Sequence, residues 1–239
     1  MADLDAPESP DELYEARGDE VSLARPILQG DVFDGIELPG LGADPGLALI
    51  LSHACSMRAG PRLKPFVTMG RIKQRSQQIR LEDWSDGYLY ALPLPELQNP
   101  GAEDLFFYAD FNEISAVRSE SLDRQKRVAC LSSVGLQLLQ QRQAFHYTRV
   151  KVDLGRIHEQ LSPVITETEL SQDWVEEALL AQQNTGDTLD LVKEQEVEFQ
   201  TYLGLSSDSP RRRQLKEIRL HSGLRSEVRQ EIRQRFRQS

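Results

Sequence analysis

Residues 28–68 read LQGDVFDGIELPGLGADPGLALILSHACSMRAGPRLKPFVT, and the order of apolar runs and breakers in this stretch decides the fold. Gly30-Asp31 opens a short apolar run. A loop rich in Gly and Pro follows, and then LALIL is apolar at every position, as in a strand buried on both faces. That run ends in Ser52, His53 and Cys55, and after a basic loop PFVT begins a third run. GYLYALPLP, DLFFYADF and EISAVR continue the pattern downstream, each rich in β-branched and aromatic residues and bounded by breakers. The spacing leaves no room for crossover helices. A small antiparallel barrel over residues 25–130 is therefore expected, rather than a parallel sheet.

Working outward, residues 1–24 hold eight acids against the single base Arg17 and carry no apolar periodicity. They are expected to form an acidic flexible arm, with a capping-box spacing from Ser9 to Glu12. Beyond Leu131 the period becomes helical. Ser132 or Ser133 can cap a helix whose apolar stripe is Val134, Leu138, Gln141 and Phe145, with Leu139 widening it. Its opposite flank carries Arg142, His146 and Arg149, a stripe to be weighed as a phosphate site or as a solvated face. Gly155 and Pro163 are expected to interrupt the helices. Two acidic helices, Thr168–Gln183 and Thr188–Leu203, follow, separated by Gly186 and stopped by Gly204. Residues 131–205 thus form a helical region. Residues 206–239 are a linker and a basic amphipathic helix, broken near Ser222-Gly223. The fold class is α+β: a small antiparallel barrel followed by an α-helical C-terminal region.

The net charge of −10 is segregated. Residues 167–198 hold ten acids and one base, while residues 210–239 hold ten bases and three acids. Such blocks bear on partners rather than on fold. No apolar run approaches the ~20 residues that span a bilayer. The acidic N-terminus lacks the basic and apolar regions of a signal peptide, and only Cys55 and Cys130 are present. A cytoplasmic, reduced protein without membrane attachment is expected.

His53 and Cys55 lie two apart at a strand end, so they share a face. An imidazole beside a thiol makes a candidate nucleophile, weighed against a barrel rim with one buried cysteine. They are half of a metal site at most, and no second Cys or His pair has ligand spacing, so no metal and no cofactor are expected. Arg62, Arg71, Lys73 and Arg75 form a basic tract, the expected surface if RNA or DNA binds. In the last helix Leu224, Val228, Ile232 and Phe236 recur every four residues beside Arg225 and Arg229. This stripe wants a partner, either elsewhere in the chain, in a homodimer, or on another protein.

The order GDVF, ALILSH, PFVT resembles the PemK/MazF-like growth-inhibitor toxins over roughly residues 28–120. Their fold is an SH3-like barrel that dimerises and cleaves single-stranded RNA. The resemblance implies that Gly30 and Asp31 form the opening turn, that Leu49, Ile50, Leu51 and Ser52 belong to the second strand, and that Thr68 carries the third-strand hydroxyl. Where the toxins have a catalytic arginine before the second strand, this chain has Pro45-Gly46-Leu47. Arg58 or Lys64 would have to bind the scissile phosphate with Thr68 if the chain were a ribonuclease. The departure favours an interaction module of a bacterial defence or toxin–antitoxin-type system over a metal-independent endoribonuclease. A thiol enzyme at Cys55 is a third reading.

Overall fold

A computed structural model of the chain describes residues 2–42, 44–59, 62–77, 79–98, 106–182 and 188–236. The chain divides into two compact units. The first holds the residues up to Val21, Ile27–Arg58 and Leu63–His158; the second holds Ser22–Pro26, residues 59–62 and the chain from Glu159 onward.

The fold is mixed α+β. Strands β1 (Tyr14–Arg17), β2 (Asp31–Ile36), β3 (Gly46–Ile50), β4 (Phe66–Arg75), β5 (Ala91–Leu94), β6 (Phe106–Arg118) and β7 (Arg127–Leu131) form one sheet. Its order is β1-β7-β2-β3-β4-β6-β5, every pair is antiparallel, and it curls into a half-barrel. The helices are α1 (Ala54–Met57), α2 (Ser133–Thr148), α3 (Leu154–Ala181), α4 (Thr188–Leu203), α5 (Pro210–Lys216) and α6 (His221–Phe236).

The stretch 28–68 forms the centre of the sheet, as its apolar runs require. Phe33 and Ile36 from β2, Ala48 and Ile50 from β3, and Val67 and Met69 from β4 bury together with Met57 and Val117. Burial of each large apolar side chain stabilises by ~1.5–3 kcal/mol. Gly30 has φ +85°, and a Cβ there would meet Leu136 at 2.7 Å and Leu131 at 2.9 Å. Both the left-handed backbone (~1–2 kcal/mol) and the overpacking (~1–3 kcal/mol) act against any side chain. Gly30→Ala is expected to lower stability by at least ~2 kcal/mol in urea unfolding. Gly18 also has positive φ (+55°) but nothing within 4 Å, so Gly18→Ala should cost only the backbone part.

Several boundaries differ from the sequence reading. The acidic arm is not loose: β1 pairs with β7, Leu13 is wholly buried, and the Ser132 hydroxyl donates to the Glu12 carbonyl. Its strand escapes periodicity analysis because Tyr14–Arg17 is short and its one acid, Glu15, faces solvent. FFYADF and EISAVR are parts of one strand, β6, and the ladder slips between Gly70 and Ile72 as the partner moves from Ile114 to Ala109. Ser132 caps α2 by accepting from Gly135 N at 3.1 Å, and α2 ends at Arg149 in a left-handed conformation. Neither Gly155 nor Pro163 breaks α3, which runs for 28 residues through both. Gly186 lies outside the described residues. The C-terminal break falls at Glu217–Leu220, ahead of Ser222-Gly223, which are helical.

In the second unit Leu170 and Trp174 of α3, Phe199 and Leu203 of α4, Leu215 of α5 and Leu224, Val228 and Ile232 of α6 make one core. The stripe expected to face a partner is therefore consumed within the chain. Its apolar side chains gain more from this permanent burial than a solvent-facing helix could offer. Phe236 packs edge-on against Trp174 with ring centroids 5.5 Å apart. Arg225 bridges to Glu169 at 2.5 Å, so the acidic and basic blocks of this unit pair with each other. Arg229 stays exposed near Asp173, whose carboxyl is held above its usual range by burial. Among the described residues no helix is long and apolar enough to cross a membrane.

Candidate functional site

The first unit presents two groupings that sequence reasoning pointed toward. The first is the rim where β3 ends. Leu51 N donates to the Thr68 carbonyl at 2.8 Å, and Thr68 N donates to Ser52 Oγ at 2.7 Å, so the strand end is locked onto β4. His53 then starts the single turn α1. Its Nδ1 accepts from Cys55 N at 3.3 Å and lies 2.9 Å from Cys55 Sγ. An Nδ1 that accepts an amide N–H carries a lone pair there, so the thiol is the donor and the imidazole proton sits on Nε2. Burial holds the His53 pKa below its usual value, which keeps the ring neutral. Cys55 is exposed.

The residues that the ribonuclease reading names, Arg58, Lys64 and Thr68, lie on the segments that flank this rim. The Arg58 guanidinium donates to the Ile27 carbonyl at 2.9 Å, a local structural task. Lys64 is exposed, and its backbone N–H is tied to Met57 O at 2.7 Å. Thr68 spends both its amide and its carbonyl on the β3 end.

The second grouping is the solvent-facing side of β4 and β6. The basic tract is present, but it is largely compensated. Arg71 bridges to Glu113 at 2.9 Å, and Lys73 to Asp110 at 2.9 Å and also to Glu113. The Glu113 hydrogen bond above all holds the Lys73 ammonium protonated beyond the usual lysine range. Arg75 lies over the Tyr88 ring, 5.1 Å from its centroid. Arg62 is exposed. Sequence reasoning missed what sits among these cations. Tyr108 is opposite Lys73 in the ladder, and its ring meets Tyr90 edge-on at 6.3 Å. Burial pushes the Tyr108 phenol up, while the charges of Lys73 and Arg75 pull it down, so Tyr108 feels both cations. Tyr90 is 39% exposed, and Tyr147 of α2 donates to the Phe111 carbonyl on the same strand at 3.4 Å. The alternation of GYLYALP and FFYAD signalled these tyrosines, but reading it only for burial hid them.

The Arg142–His146–Arg149 stripe is not a phosphate site. Arg142 is 0% exposed and donates to three backbone carbonyls, those of Trp84 (2.6 Å), Tyr88 (3.2 Å) and Ala91 (3.3 Å). His146 packs between Phe111 and Tyr147. Only Arg149 remains at the exposed helix end, over the Phe145 ring.

Among the described residues no group of three or more His, Cys, Asp or Glu could hold a metal ion. Comparison with family models, with curated proteins and with solved structures finds no match to this chain.

Proposed function

We propose that the protein is an interaction module whose first unit binds a protein partner on the tyrosine-rich face of β4 and β6. The observation that carries this reading is the cluster of Tyr88, Tyr90 and Tyr108 around Arg75 and Lys73. Tyrosine and arginine dominate the energetic centres of protein interfaces, because they bury large area and keep a polar handle at little entropic cost. Single-stranded nucleic acid also stacks on such rings. Charge argues against it here: Arg71 and Lys73 are neutralised in place, and the whole chain carries −10, so a polyanion gains little and is repelled at long range. On the resemblance of the Gly30-Asp31 turn and the Leu49–Ser52 strand, the unit is read as a divergent SH3-like barrel. Its setting, on the same ground, is a defence or toxin–antitoxin-type system.

The test replaces Tyr90 by a photo-crosslinking phenylalanine derivative in the full chain, expressed in its own cells. Irradiation should give a discrete protein adduct, reduced at least about tenfold by Arg75→Glu, the loss expected of an interface anchor. The same probe at exposed Val197 of α4 should give none. Recovery of RNA adducts from position 90, or equal yields at both positions, would overturn the reading.

A further inference from the structure

The rim at the end of β3 is left unused by the interaction surface, and it holds a complete nucleophile–base pair. Cys55 is not an isolated thiol: its Sγ stands 2.9 Å from His53 Nδ1, and the residue is exposed. The surroundings narrow the chemistry. Acyl transfer needs amide donors aimed at a developing oxyanion, but three amides of this turn, those of Cys55, Ser56 and Met57, are already engaged. Cys55 N donates to His53 Nδ1, Ser56 N to His53 O at 2.8 Å, and Met57 N to the same carbonyl at 3.2 Å. A reaction that builds no charge on oxygen has no need of them. Thiol–disulfide exchange is such a reaction, since the charge passes from sulfur to sulfur. The other cysteine, Cys130, is 0% exposed in β7, so it is not placed to resolve a mixed disulfide formed at Cys55.

We propose that Cys55 is a thiol-exchange site, with His53 as its base, and that its ligand class is the disulfide of a small thiol. As Sγ attacks one sulfur of the incoming disulfide, its proton passes to His53 Nδ1. The new S–S bond forms while the old one breaks. The departing thiolate takes the bond's electron pair and then the proton from His53. Cys55 is oxidised and the released half is reduced, so the incoming disulfide is the oxidant and the exchange needs no other. The product is a stable mixed disulfide on the rim.

Oxidised glutathione is the probe, added to the full folded chain at pH 7, with intact-mass and peptide-mass readout. One glutathionyl group should appear on Cys55. His53→Ala should slow the reaction by roughly five- to tenfold, the gain expected when a neighbouring base takes the thiol proton during attack. As pH falls below 7 the native rate should fall less steeply than the His53→Ala rate, because burial lowers the His53 pKa and so extends the range in which its ring can take the thiol proton. Ser56→Ala removes the Ser56 Oγ bond to the His53 carbonyl but keeps the pair, and should react at the native rate. Protection of Cys55 in the folded chain, modification at Cys130 instead, or equal rates and pH profiles for native and His53→Ala proteins would each overturn the proposal.

Discussion

Replacing Arg142 by leucine should lower the stability of the first unit by about 3–5 kcal/mol, one of the two largest single-residue losses expected here. Arg142 is a charge with no exposed surface, and three carbonyls and the face of Trp84, 5.0 Å from the guanidinium carbon, surround it. Burial pushes its pKa down only to about 10, so the side chain remains charged at neutral pH. Its hydrogen bonds tie α2 to the Trp84–Ala91 segment that leads into β5. Leucine keeps part of the volume but leaves the three carbonyls without their donor, each costing ~1–3 kcal/mol when buried. Lysine should recover little, because a single ammonium lacks the planar fork that reaches all three oxygens. Urea unfolding followed by indole fluorescence is the measurement. The chain's only other tryptophan, Trp174, is replaced by phenylalanine so that Trp84 alone reports. A loss below ~1 kcal/mol for Arg142→Leu would show that these contacts add nothing net.

Arg142 also shows where the sequence stops being legible. Local signals identified α2 as a helix, Ser132 as one of two candidate caps and the bounds of α4, but they misplaced the buried face of α2, which takes Leu136 and Arg142 while Val134 and Phe145 stay only half-buried. The partners of Arg142 are backbone oxygens 51, 54 and 58 residues away, and backbone groups leave no mark on side-chain pattern. A charged residue at helical spacing reads as solvated face unless the fold supplies such oxygens. Pro163 misleads for a related reason: tertiary packing of α3 outweighs the lost hydrogen bond that the sequence rule weighs alone. The candidate sites divide the same way. His53 and Cys55 are two residues apart, and the sequence reading sets them on one face of a strand end, whereas a helical turn capped by His53 is what brings Nδ1 and Sγ together. The tyrosine face is assembled from Tyr88 and Tyr90 on one segment and Tyr108 on another: the ladder register sets Tyr108 opposite Lys73, and ring contacts bring Tyr90 to Tyr108 and Tyr88 under Arg75.

The Gly30-Asp31 turn leads to the second large effect. Asp31 was read as part of a turn; in the folded chain its carboxylate is 1% exposed and accepts from Arg127 at 2.9 Å and from Leu28 N at 3.0 Å. The turn, β2 and β7 are thereby held by one buried ion pair. Attraction between buried charges is strong, yet so is the loss of hydration on placing them there, so the pair contributes little net relative to apolar residues of the same shape. Breaking it is different, because the survivor keeps its desolvation cost and loses its compensation. Arg127→Met and Asp31→Asn are each expected to destabilise the first unit by ~3–5 kcal/mol, the asparagine at the lower end since it still accepts from Leu28 N. The double variant should cost clearly less than the sum, leaving a coupling of at least ~1.5 kcal/mol in a double-mutant cycle measured by urea unfolding. Strict additivity would mean that the two side chains stabilise the sheet separately. In that case Asp31 would act through the Leu28 amide alone, and the Gly-Asp turn rather than the ion pair would be what holds β2 in register.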